Sequence, residues 1–98
     1  MAMKQYLLLV QGHLESRTTP EEWNAFFAAA EESDHFRGGS EIGRRTVLGN
    51  VATAQSTDHV VAYMRFDAED QQQLLDLLKM HPVLLHGGSV ELCELPRS

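Results

Sequence analysis

The sequence predicts an α+β domain in which a β-α-β unit occurs twice, and three observations carry that prediction. Two stretches echo each other, Phe36-Arg37-Gly38-Gly39-Ser40-Glu41-Ile42-Gly43 and Leu85-His86-Gly87-Gly88-Ser89-Val90-Glu91-Leu92. Each follows a helix-like segment and opens a strand-like one. Two apolar runs, Tyr6–Val10 and Val60–Met64, stand where each unit needs its first strand. The chain has 98 residues, so one domain over residues 1–98 is the natural reading.

The elements follow in order. Tyr6-Leu7-Leu8-Leu9-Val10 is a continuous apolar run ended by Gly12, which reads as a strand buried on both faces. Gln11 to Thr19 is polar and reads as a loop. Thr18 or Thr19 can cap a helix that has Pro20 at its first position and Glu21-Glu22 at its positive end. Trp23, Phe26, Phe27 and Ala30 share one face of that helix and read as core. Ser33-Asp34-His35 ends it. Gly38-Gly39 turns the chain into a second strand, roughly Ser40 to Leu48. That strand is polar, with Gly43 suiting a bulge at a sheet edge.

Gly49 to Thr57 reads as a connection, and His59 to Phe66 as the third strand. Asp67 is placed to cap a second helix, with Asp70 three residues on. Leu74, Leu77 and Leu78 form its apolar face. Met80-His81-Pro82 ends it, because a residue before proline is steered away from helix. Val83 to His86 reads as a connector and Ser89 to Leu95 as the last strand, stopped by Pro96.

This order suits the ferredoxin-like βαββαβ arrangement, a four-stranded antiparallel sheet with two helices on one face. The first and third strands are central because they are the most apolar. The Gly-Gly-Ser strands, with Glu41, Arg44, Arg45, Glu91 and Glu94, are edges. Two helices cover one face of the sheet. A second copy of the chain is the usual cover for the other, burying roughly 800 Å² per partner. The chain is therefore expected to form a homodimer through its sheet.

Charge and cysteine content narrow the partners. The net charge is −6 with no Lys/Arg cluster, which disfavours nucleic acid and acidic membrane surfaces. Cys93 is the single cysteine, so neither an internal disulfide nor a cysteine-based zinc site is expected. No run is long enough to span a bilayer, and no signal-peptide pattern precedes the first strand. The expected location is the cytoplasm. The Gly-Gly-Ser repeats precede strands, whereas phosphate cradles precede a helix that supplies the donors; they read as turns.

Lys4-Gln5-Tyr6-Leu7-Leu8-Leu9-Val10 at one end, and His81-Pro82-Val83-Leu84 with Gly87-Gly88-Ser89-Val90-Glu91-Leu92 at the other, resemble the YCII-related family, including its DGPF-type members. The resemblance covers most of the chain as an ordered pattern and is most specific from His81 to Leu92. It implies a ferredoxin-like fold that pairs into a dimeric α+β barrel. The wider superfamily that the resemblance implies includes small monooxygenases, haem proteins and isomerases. YCII-like proteins resemble one another in a His on the first helix and an Asp further on, proposed as a catalytic pair. The first helix here carries Trp23 and Asn24 and no His.

Strand alternation places Val60, Ala62, Met64 and Phe66 toward the helices, and His59, Val61, Tyr63 and Arg65 on the opposite face. Glu91 and Cys93 join that face from the last strand. On the second strand, Glu41, Gly43 and Arg45 or Ser40, Ile42 and Arg44 are the two alternatives. A site follows in which His59 and Glu91 supply acid–base chemistry. Arg45, Tyr63, Arg65 and the loop residue His13 would bind a small, anionic substrate. The competing reading is that these are cross-strand and inter-subunit ion pairs. His81 and His86 flank the Pro82 turn, where a helix dipole favours histidine. Five histidines with no i, i+4 pair on a helix make no metal site, and no cofactor signature stands out.

Two functions stay open. One is a small-molecule site on the sheet face at the dimer interface, enzymatic without a cofactor. The other is a non-catalytic dimeric binding or interaction module that lacks the family's His/Asp pair.

Overall fold

Strand β1 (Lys4–Gln11) is the centre on which the rest assembles, in a computed structural model that describes residues 3–96. Alternate β1 side chains Tyr6, Leu8 and Val10 are buried on one face, and Leu7 and Leu9 are half-buried on the other. Helix α1 (Pro20–Glu32) follows, then β2 (Phe36–Glu41), β3 (Val60–Ala68), α2 (Gln72–Leu78), α3 (Pro82–Leu85) and β4 (Val90–Leu95). The four strands form one antiparallel sheet in the order β2-β3-β1-β4. This is an α+β fold of ferredoxin-like topology, with the two most apolar strands central as expected.

Helix α1 starts where its sequence requires. The Thr19 hydroxyl accepts from the Glu22 N–H at 3.2 Å, and the Glu22 carboxylate accepts from the Thr19 N–H at 2.8 Å, a complete capping box with Pro20 behind it. The helix ends at Ser33. Asp34 then turns the chain with φ 62°, a conformation a short polar side chain tolerates. Phe26 and Ala30 on α1, Leu74, Leu77 and Leu78 on α2, and Val83 on α3 close over Tyr6, Leu8, Val10, Met64, Phe66 and Ala68 of the sheet. Burying each of the larger side chains contributes about 1.5–3 kcal/mol.

Several local expectations are corrected. The second strand is Phe36–Glu41, not Ser40–Leu48, so Gly38 and Gly39 lie inside it instead of leading into it. The bulge falls between Phe36 and Gly39, opposite Phe66 and Met64, with Gly38 at φ 102°, and not at Gly43. Gly87 and Gly88 do precede β4, so the two echoes are not structurally equivalent. Ser40 pairs with Tyr63, which puts Ser40 on the uncovered face and Glu41 on the helix side. Asp67 is no helix cap. It extends β3, opposite Gln5, and accepts from Arg37 Nε at 3.1 Å. The α2 entry is held instead by Asp70, whose carboxylate accepts from the Gln73 N–H at 3.2 Å. The expected connector after His81 contains the short helix α3, because Pro82 both ends what precedes it and suits a first helical position.

Candidate functional site

Trp23 and Phe27 of α1 are not both packed into the core as their spacing suggested. Phe26 is fully buried, but Phe27 is 37% exposed and Trp23 is half-buried. Their rings stack at 5.8 Å and 26° and form one wall of a cleft of about 640 Å³ between α1 and the sheet. Val10, Ala62 and Met64 form its floor, Phe36 and Glu41 one side, and Leu14, Thr18 and Val83 the other. Trp23 Nε1 donates to Thr18 Oγ1 at 2.9 Å, which fixes the indole against the β1–α1 loop. The lining is predominantly apolar. Among the described residues no Lys or Arg lines it, and Glu41 is its single charged group. Such a surface suits an apolar ligand body held by few polar contacts.

The loop between β1 and α1 is tied down at several points along its length. The Glu15 N–H donates to the His86 carbonyl at 2.8 Å, and the Gly12 N–H to the His59 carbonyl at 2.8 Å. Ser16 Oγ then lies 2.7 Å from His86 Nδ1, while His86 Nε2 lies 2.7 and 2.9 Å from the two Glu22 carboxylate oxygens. The carboxyl of Glu22 is held below its ordinary value of 4.5, first by the Thr19 N–H and then by His86. It is therefore an acceptor at neutral pH, and His86 Nε2 carries a proton toward it. No short-range pattern joins these residues: 64 positions separate Glu22 from His86, and 70 separate Ser16 from His86. His86 is the C-cap of α3, the helix end that favours a histidine, and its ring also reaches back to Glu22 of α1.

His81 is fully buried, at the N-cap of α3, where its Nδ1 accepts from the Val83 N–H at 3.2 Å. It is not in the last turn of α2. Its ring meets Phe26 at 4.8 Å and Trp23 at 5.1 Å, both edge-on. Accepting at Nδ1 places the neutral ring's proton on Nε2, which finds no hydrogen-bond partner among the described residues. Burial pushes the imidazole pKa down from 6.5 to about 4.

The residues singled out on the uncovered face are spread along it. Tyr63 and Glu91 both pair with Leu9 from opposite sides, so a full strand separates them, roughly 10 Å at two inter-strand spacings. Arg65 lies one row along, opposite Leu7. His59 sits before β3 and is exposed, and His13 is exposed on the β1–α1 loop. Among the described residues, the side chains of His13, His59, Tyr63, Arg65 and Glu91 form no hydrogen bond or ion pair within the chain, and none of them joins His59 to a carboxylate. Arg45 lies beyond β2, pairs with Asp58 at 3.5 Å and donates to the Val60 carbonyl. The described residues contain no group of three or more His, Cys, Asp or Glu able to hold a metal ion.

No family model matches the chain, and no curated protein matches it. Among solved structures it is similar to the hydroxynitrile lyase from Passiflora edulis, with 9% identity, a TM-score of 0.47, and coverage of 98% of this chain and 94% of that one. That likeness is one of chain path, and nothing about the chemistry of this protein rests on it. No helix among the described residues is long and apolar enough to cross a membrane.

Proposed function

We propose that this protein binds a small, largely apolar molecule in the cleft between α1 and the sheet, and that two copies pair through the uncovered sheet face. The cleft carries the first part: Trp23 and Phe27 are large aromatic side chains left open to a space of about 640 Å³. A binding site reached from the helix side differs from one enclosed by a partner. It also lacks the cations that an anionic substrate would need. The half-buried Leu7, Leu9, Cys93 and Leu95 of the other face support pairing, because they form an apolar stripe across the inner strand β1 and the edge strand β4. Among the described residues, the side chains of His59, Tyr63, Arg65 and Glu91 have no hydrogen-bond or ion-pair partner, and their roles as acid–base or binding groups belong to the paired form of this proposal. The YCII-like reading and cofactor-independent catalysis are its finer parts.

Trp23 is the single tryptophan, so the cleft carries its own reporter. Titration with N-phenyl-1-naphthylamine, a neutral apolar fluorophore, should quench Trp23 emission saturably at one site per chain. Ala62→Phe should fill the floor of the cleft and abolish that binding while leaving the circular dichroism unchanged. Unsaturable quenching, or equal binding by the variant, would sink the proposal.

A further inference from the structure

The hydrogen-bonded chain Ser16–His86–Glu22 is placed apart from the cleft, and we infer that it is a base-activated hydroxyl able to take an acyl group from a small carboxylic ester. The inference does not depend on what the cleft binds. It rests on the order of the contacts. Glu22 is ionised and lies 2.7 Å from His86 Nε2, so the neutral ring carries its proton on Nε2 and presents a lone pair at Nδ1. Among the described residues the group facing that lone pair is Ser16 Oγ at 2.7 Å, and in this tautomer the hydroxyl donates its proton to Nδ1. A nucleophile, a base and a carboxylate that orients the base are therefore in line, as nucleophilic catalysis requires. Ser16 is exposed, and the His86 side chain is 17% exposed, so a reagent can reach the hydroxyl while the imidazole stays largely dry.

The amide N–H groups of Ser16 and Arg17 make no hydrogen bond within the chain among the described residues, which leaves donors beside the point of attack. The bonds that pin the loop, from Glu15 to the His86 carbonyl and across the capping box, hold Ser16 over the ring. In the reaction Ser16 Oγ attacks the ester carbonyl carbon and its proton passes to His86 Nδ1. The carbon–oxygen bond to the leaving group breaks, and the alkoxide takes that proton. Water then repeats the sequence on acyl-Ser16, releasing the acid and restoring the hydroxyl. Glu22 touches no reacting atom. It is a positioning residue whose charge favours the transient imidazolium.

The test uses diisopropyl fluorophosphate, which loses fluoride when a serine oxygen attacks phosphorus, with peptide mass spectrometry as readout. The expected adduct is on Ser16. It should form roughly 100-fold faster than on Ser56, an exposed serine with no histidine partner, because a positioned base contributes on that order. His86→Gln should remove most of that advantage. Glu22→Gln retains an acceptor for the Thr19 N–H but loses the charge, and should slow labelling by about tenfold without unfolding. Ser16→Ala should lose the adduct and leave hydrolysis of p-nitrophenyl acetate at the rate of free imidazole. Labelling of Ser16 no faster than Ser56 in the unaltered protein would overturn the inference whether or not the variants fold, and so would a rate indifferent to His86→Gln.

Discussion

The buried histidine makes stability depend on pH in a window where few side chains titrate. In the folded chain His81 holds its proton only below about pH 4, whereas in the unfolded chain it holds one below its ordinary value of 6.5. Between those values the unfolded state binds more protons, so stability falls as pH falls. The full contribution is present above pH 6.5, declines through the window and is gone below about pH 4. The gap between 6.5 and about 4, at roughly 1.4 kcal/mol per pH unit, amounts to about 3 kcal/mol. The perturbation that isolates it is His81→Asn, which can still accept from the Val83 N–H at the N-cap but does not titrate. The variant loses ring contacts with Phe26 and Trp23, and should be less stable than the natural chain at pH 7.5 by about 2 kcal/mol. Urea unfolding followed by circular dichroism from pH 7.5 to 4 gives the difference between the two proteins, in which the carboxylates cancel. That difference should shrink by about 3 kcal/mol toward pH 4, bringing the variant level with the natural chain or above it. A difference that stays constant across the range would refute the reasoning, because it would mean that His81 takes up its proton in the fold as easily as outside it.

Three further outcomes follow from the fold. Thr19→Ala removes the hydroxyl that accepts from the Glu22 N–H, and thermal unfolding should show a loss of about 1 kcal/mol. Gly38→Ala meets no neighbour but must hold φ 102°, a strain of about 1–2 kcal/mol. Gly39→Ala instead drives a methyl group into the Tyr63 carbonyl oxygen, which backbone cannot yield, so in chemical denaturation it should destabilise more than Gly38→Ala. Leu9→Lys places a charge in the middle of the uncovered face, and sedimentation equilibrium should show a dimer of the natural chain become a monomer without loss of helicity.

The topology was legible because it rests on the crudest signal, the length of apolar runs. Tyr6–Val10 and Val60–Met64 are central since only central strands are covered well enough to carry such runs, and the alternation along β3 sorted Met64 and Phe66 from Arg65. Boundaries were legible only where one mechanism dominated. At Thr19, Pro20 and Glu22 every signal agreed, and the helix begins there. At Asp67 a capping pattern competed with strand pairing, and pairing with Gln5 prevailed. The Gly-Gly-Ser echo misled because one glycine pair relieves a bulge inside a strand and the other shapes a turn before one. The groups of the candidate sites were visible as residue types but not as neighbours. Trp23 and Phe27 had the spacing of core, and nothing local shows that no other element covers them. Glu22 had a complete explanation as a cap, which hid its second contact with His86.

The central position of β1 also constrains how the molecule can come into being. The strand nearest the N-terminus takes its two partners from β3 and β4, so its pairing on one side cannot close until residue 95 is available. Most of the sheet is thus made of contacts distant along the chain, the kind that slows folding. On the ribosome, α1 and the β1 segment emerge long before either flank of β1 exists, and the leucines at 7, 8 and 9 must wait uncovered. Completion of the sheet is therefore tied to synthesis of β4, and a chain stalled before β4 would display that leucine run along an unpaired edge, the form in which this protein would be most prone to aggregate.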